Sequence, residues 1–334
     1  MAYHTTPYLL LFLPAALLFY QITPAKWRSY TLLIFSYLFF WSFSEKLIIY
    51  LIGTTFLTHH ICIWMDTMDK RDKRKKRVFQ LGILLGTILC LKYRNFFFGN
   101  VSKLAMVLHI DWSYQDQLIF LPIGISFYTL SAIGYMADVY WGKVKAEYSL
   151  VKTALFLGFF PVIVEGPICR WEDVEDTLFK NESVKAENVF KGCYRIIWGL
   201  FKKMIIADRL AVLVDKVYVG YESYSGAVIV VAAISYTIQL YMEFSGCMDM
   251  VIGSAGLFGI RLPENFSQPF FAKTCTDFWK RWHITLGVWF KNYIFYPVSI
   301  SKTARKWNKF TRKHFKGDFG KYVARMGIAA MALF

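Results

Sequence analysis

KLIIYLIGTTFLTHHICIWM, residues 46–65, is followed after four residues by KRDKRKKR, residues 70–77. The first block has the roughly 20 residues that a helix needs to cross the hydrocarbon of a bilayer. The second places seven cations in eight positions, the mark of a cytoplasmic loop. Hydrocarbon offers no water to the backbone, so a span must satisfy its own hydrogen bonds, as a helix does. A β-barrel would alternate polar and apolar residues over about ten positions, and this chain does not. Working outward, apolar stretches recur near 8–23, 30–44, 78–98, 118–141, 150–168, 190–207, 226–244, 247–260 and 322–334. Some are short or are broken by Pro14, Pro161 or Pro167, which suits tilted, re-entrant or interfacial segments. The expected fold is an all-α integral membrane protein, a multi-helix bundle of about 9–11 membrane or re-entrant helices.

Counting from the cytoplasmic loop puts Lys26 and Arg28 on the same side and the N-terminus outside. Lys143, Lys145 and Lys152 also count as inside; beyond residue 168 the count is ambiguous. Residues 1–7 hold no Lys or Arg and no small-residue cleavage pattern follows, so the first segment is expected to remain as a membrane helix. Of the 334 residues 56% are hydrophobic and 19% aromatic, and the net charge is +16. The cations cluster between apolar spans, so loop bias explains the charge and nucleic-acid binding is not expected. Cys62, Cys90, Cys169, Cys193, Cys247 and Cys275 form no CxxC pair and read as small buried hydrophobes. His59 and His60 are adjacent and point to different sides of a helix, so no metal site is expected.

Chemistry enters with Phe278-Trp279-Lys280-Arg281-Trp282-His283-Ile284-Thr285-Leu286. A neutral imidazole can take a proton from a hydroxyl, which admits acyl transfer; alternatively Trp279, Trp282 and Trp289 belt the interface and His283 fills a hydrogen-bonding gap. Thr274 and Asp277 have the spacing of a capping box. Trp279, Trp282, His283, Leu286, Phe290 and Tyr293 then recur along one face of an expected amphipathic interfacial helix. Upstream, Leu262-Pro263-Glu264-Asn265-Phe266 reads as a rigid turn. Glu243 and Asp249 sit at a span boundary, where a carboxylate faces protein or water; pairing of Asp249 with an arginine such as Arg261 is the structural alternative. The breaks at 121–127 and 164–170 suit helices that line a cavity or kinks that serve packing. The acids of 170–189 read as a solvated amphipathic link.

Four ordered blocks resemble the membrane-bound O-acyltransferase family: LPIGISFYTLSAIGYMADVYWG from Leu121, FFPVIVEGPICRW from Phe159, MEFSGCMDMVIGSAGLFGIRLPENFSQPF from Met242 and TDFWKRWHITLGVWFKNYIFYPV from Thr276. The blocks are most similar to the bacterial alginate O-acetyltransferase branch and share more loosely with the teichoic-acid D-alanyl transfer branch. The resemblance implies a helical bundle around a funnel or tunnel. It implies transfer of an acyl group, acetyl first among candidates, from a cytoplasmic thioester such as acetyl-CoA to an extracytoplasmic polysaccharide. No tightly bound cofactor is implied. The implied setting is the bacterial cytoplasmic membrane, multi-pass, among membrane lipid, with an extracytoplasmic acetyltransferase partner protein.

By the same resemblance His283 is the first of two tunnel histidines and the second carries the main catalytic role; within this sequence His283 is the candidate catalytic group. Asp277, Trp279, Arg281 and Trp282 shape the donor side, with Asn265, Ser245 and Asp249 in support. The second histidine, in a Trp-His-Gly, is expected beyond Phe334. The apolar run 327–334 is too short to span, so 1–334 is expected to be one acyltransferase domain, incomplete at its C-terminal end. D-alanyl transfer to teichoic acid is the first rival. A non-catalytic transporter is the second, and it would predict internal repeats, of which none is seen.

Overall fold

A computed structural model describes residues 2–333 except 70–71, 90–93, 109, 111–122 and 316. Lys70 and Arg71 of the cationic run, Cys90, Leu121 and Pro122 of the first break, Lys316 and Phe334 therefore lie outside the described residues. Within them every regular element is helical. The first eleven α-helices are α1 (Leu13–Ile22), α2 (Arg28–Ser44), α3 (Ile48–Asp66), α4 (Lys73–Leu89), α5 (Arg94–Val107), α6 (Ile125–Trp141), α7 (Leu150–Gly158), α8 (Trp171–Leu178), α9 (Ala186–Leu200), α10 (Asp208–Val219) and α11 (Gly226–Leu257). Then follow α12 (Cys275–Arg281), α13 (Ile284–Phe290), α14 (Tyr296–Ser299), α15 (Lys302–His314) and α16 (Gly317–Leu333). Contacts group them into two compact units, Met1–Pro263 and Glu264–Phe334.

Two stretches have the length and hydropathy of membrane spans, Ala25–Asp66 and Gly226–Leu257, and Pro7–Ile22 is a shorter apolar helix. The first is divided by Glu45, whose φ of 43° ends α2; a non-glycine residue rarely adopts such an angle, so α2 and α3 are separate helices. The second corrects an expectation. Residues 226–244 and 247–260 read as two apolar stretches with a span boundary between them. They form instead one 32-residue helix, α11. Ser245 and Gly246 carry the helix through because a neighbouring helix packs against them, as follows.

Gly192 and Gly199 of α9 meet Gly253 and Gly246 of α11. A Cβ placed on Gly199 would lie 2.5 Å from the Gly246 carbonyl oxygen, and one on Gly192 would lie 2.8 Å from that of Gly253. The reversed order makes the pair antiparallel, and the glycines let the two backbones touch, the device that membrane helices use to associate. In the same unit the two Pro/Gly breaks come together. Gly124 has φ +82°, and a Cβ there would fall 1.9 Å from the Ile163 carbonyl oxygen. Phe159, Phe160 and Ile163, just before the second break, are buried. The N-terminal segment locks onto both regions: the Tyr3 hydroxyl donates to the Phe160 carbonyl at 3.0 Å, and the Tyr8 hydroxyl to Ser254 Oγ on α11 at 3.0 Å.

The link at 170–189 is an amphipathic turn of helix followed by surface ion pairs. Trp171, Val174 and Leu178 of α8 are buried, while Arg170 holds Asp173 and Glu182 pairs with Lys180 and Lys185. In the second unit the basic stretch after residue 301 is helical. Ser301 caps α15 by accepting from the Ala304 N–H at 3.1 Å.

Candidate active site

The Thr274 cap forms as the spacing predicts: Thr274 Oγ1 accepts from the Asp277 N–H at 3.1 Å. The helix it opens is shorter than expected. α12 stops at Arg281, Trp282 is extended, and His283 takes the left-handed conformation with φ 47° and ψ 53° before α13 begins. The single amphipathic face from Trp279 to Tyr293 is therefore broken in the middle. Trp279 is 65% exposed and Trp289 only 6%. The break has a cause. Asn265 and Phe266 run antiparallel to the 281–284 segment, with Phe266 bridged to Trp282. The Ser267 N–H donates to the Arg281 carbonyl at 3.0 Å and the Ile284 N–H to the Asn265 carbonyl at 3.0 Å. Those backbone groups would otherwise belong to a continuous helix.

The side chain of Asn265, 1% exposed, gathers the site. Its Oδ1 accepts from the Thr285 N–H at 3.1 Å and from the Thr285 hydroxyl at 2.9 Å. It also lies 3.1 Å from His283 Nδ1. A backbone N–H can only donate, so the atom facing it is the amide oxygen. His283 Nδ1 must then carry the proton of its bond to that same oxygen. The assignment leaves Nε2 as the unprotonated nitrogen, the one that can act as a base. Burial pushes the His283 pKa from its ordinary 6.5 down to about 4, so the ring is neutral at neutral pH.

This shift carries a sign. Between pH 6.5 and about 4 the folded protein binds fewer protons at His283 than the unfolded chain. The contribution is fully present above 6.5 and is lost as pH falls toward 4. The fall in Tm on acidification from pH 7 to 4.5 should accordingly be smaller in His283→Asn than in the wild type. Parallel falls in both proteins would refute the assignment.

Around this centre Asp277 and Arg281 pair with each other at 3.1 Å on α12; the Arg281 guanidinium lowers the Asp277 pKa. The Trp282 ring stacks on Phe278 at 5.6 Å and meets Phe266 edge-on at 5.2 Å. The expected site residues of the second unit, Asn265, Asp277, Trp279, Arg281, Trp282 and His283, thus fall on one short segment pair. Ser245 and Asp249 belong to the first unit, within α11. Asp249 is held by Lys202 Nζ at 2.6 Å and Arg195 Nε at 3.1 Å. Its arginine is thus Arg195 of α9 and not Arg261, whose N–H donates to Thr177 Oγ1 at 3.1 Å. Glu243 accepts from Lys203 at 2.7 Å. His59 and His60 diverge, His59 Nδ1 to Thr153 Oγ1 at 3.1 Å and His60 Nδ1 to the Phe56 carbonyl at 2.8 Å. Among the described residues no group of three or more His, Cys, Asp or Glu could hold a metal ion. The second histidine expected beyond Phe334 lies outside the described residues.

Thr285 was not singled out from the sequence, and only its place two residues after His283 hints at its role. The left-handed turn at His283 has no local signal, because it is imposed by Asn265, 18 residues away.

Residues 143–312 match the membrane-bound O-acyltransferase family, just over half of the 334 residues, and the chain belongs to that family. The match crosses the boundary between the two units and includes the whole Asn265–His283–Thr285 arrangement. Over 299 residues the chain is 33% identical to a probable alginate O-acetylase of Pseudomonas aeruginosa, covering 88% of this chain and 56% of the relative. Over 331 residues it is 30% identical to a peptidoglycan O-acetyltransferase of Helicobacter pylori, covering 89% and 61%. A teichoic acid D-alanyltransferase of Bacillus subtilis is 30% identical over 193 residues, or 56% of this chain and 48% of the relative. The chain thus spans between 56% and 61% of the length of the first two relatives.

Proposed function

We propose that the protein transfers an acyl group, most specifically acetyl, from a cytoplasmic thioester such as acetyl-CoA to hydroxyls of an extracytoplasmic cell-envelope polysaccharide. Family membership supports acyl transfer. The Asn265–His283 geometry is the single observation that gives the chemistry an atom. His283 Nε2 takes the proton of the acceptor hydroxyl while that oxygen attacks the thioester carbonyl. The C–S bond breaks, and the departing thiolate takes up the proton. Because a thioester is already activated, the protein has mainly to position it and move one proton. Asp277, Arg281 and Trp282 shape the donor side of the site. In this reading the protein is a multi-pass protein of a bacterial cytoplasmic membrane with 66–77 inside, and it works with lipid and an extracytoplasmic acetyltransferase partner.

The extent of similarity favours acetyl over D-alanyl transfer, since the O-acetyl relatives align over 88–89% of the chain and the D-alanyl relative over 56%. Deleting the gene should remove ester-linked acetate from one envelope polysaccharide, measured by base-released acetate, and restoring it should return the signal. Loss of ester-linked D-alanine with acetate intact would overturn the proposal in favour of the rival.

A further inference from the structure

Residues 300–334 carry nine Lys or Arg and one acid, Asp318. Asp318 is engaged by Lys321 at 3.0 Å. In α15, among the described residues, none of Lys302, Arg305, Lys306, Lys309 and Lys313 has an acidic partner, and all five are exposed. Their placement is not uniform. Ala304 and Thr311 are buried, and a Cβ on Gly327 of α16 would strike the Trp307 indole at 2.1 Å from Nε1. Ala304, Trp307 and Thr311 therefore form the seam against α16. At about 100° per residue, Lys302, Lys306, Lys309 and Lys313 fall in one narrow stripe about 160° away from that seam.

We infer that this lysine ridge is a docking surface for the anionic phospholipid headgroups of the membrane in which the protein sits. The charge calls for a polyanion. The shape selects among polyanions: the ridge is the convex side of a helix about 20 Å long, with no concavity to close around a discrete nucleotide or sugar. A convex row of flexible point charges fits a plane of phosphodiesters, which asks for charge and not for bidentate geometry. Phe310 and Phe319, 48% and 62% exposed, supply apolar rings of the kind that interfacial helices bury at the headgroup boundary.

The test uses the whole protein in nanodiscs of phosphatidylcholine alone or with phosphatidylglycerol, and reads amide hydrogen exchange over 302–314. Phosphatidylglycerol should slow exchange there by about tenfold or more. Salt near 1 M, where the Debye length is about 3 Å, should erase the difference. Lys302→Gln, Lys306→Gln, Lys309→Gln and Lys313→Gln together should also erase it, and the same four positions as Arg should keep it. Equal exchange in the two lipids overturns the inference. So does protection that appears in phosphatidylcholine only on adding coenzyme A or an acidic carrier protein. The readout needs no turnover, so failure of the proposed acyl transfer leaves it intact.

Discussion

His283→Asn should lower polysaccharide acylation by about 100-fold to 10,000-fold, the usual contribution of a positioned base, while the protein still accumulates in the membrane. Asparagine is the informative replacement because it tolerates the left-handed backbone that position 283 adopts. It can also bond to Asn265 yet cannot take a proton. His283→Ala should lose the same activity and additionally bear the cost of that backbone angle, about 1–2 kcal/mol. Asn265→Ala should lose turnover as well, by freeing the ring to take the wrong tautomer. The assay is acetate on purified polymer, with the enzyme quantified by immunoblot of washed membranes. Full activity in His283→Asn would make the imidazole a packing group. A rise in KM alone would assign it to uniform donor binding.

Gly246→Val should lower Tm by about 2–4 °C or more, since overpacking costs about 1–3 kcal/mol or more. The new side chain has nowhere to go: a Cβ at Gly246 lies 2.8 Å from the Gly199 carbonyl oxygen and 3.2 Å from the Lys203 backbone nitrogen. Both neighbours are backbone, so α9 and α11 must separate. Separation would also pull Lys202 and Arg195 from Asp249, and a buried charge left alone is costly. Gly256→Ala on the same helix is the control, because nothing lies within 4 Å of a Cβ there. It should be neutral or stabilising by up to about 1 kcal/mol. Fluorescence-detected size exclusion after heating distinguishes the two, and equal behaviour would mean that the seam is not close-packed.

The all-helical class was legible because apolar length and interrupted runs are local properties of the chain. Thr274 and Asp277 were legible for the same reason: a cap is read three residues apart. The break at Trp282–His283 was not, because the residues between Trp279 and Tyr293 keep helical spacing throughout. What ends the helix is hydrogen bonding from Asn265, and that partner is remote. The same holds for α11. Ser245, Gly246 and Asp249 look like the end of a span when read alone. Gly199, Lys202 and Arg195 of another helix turn them into helix interior. The pairing of Gly192 with Gly253 and of Gly199 with Gly246 left a trace, a spacing of seven in both helices, which gains meaning only once the two are laid antiparallel.

α11 also measures the depth of its surroundings. Residues 226–244 are mostly exposed, and of 245–257 all but Gly256 are buried. The exposed part rises about 28 Å at 1.5 Å per residue, close to the roughly 30 Å of a hydrocarbon slab. The remainder adds about 20 Å more than that slab can hold. The helix is thus divided at Phe244: one arm has the length of a span and a mostly exposed surface, and the other is enclosed by protein. Asp249 and its two cations sit on the enclosed arm, where the charge is met by side chains.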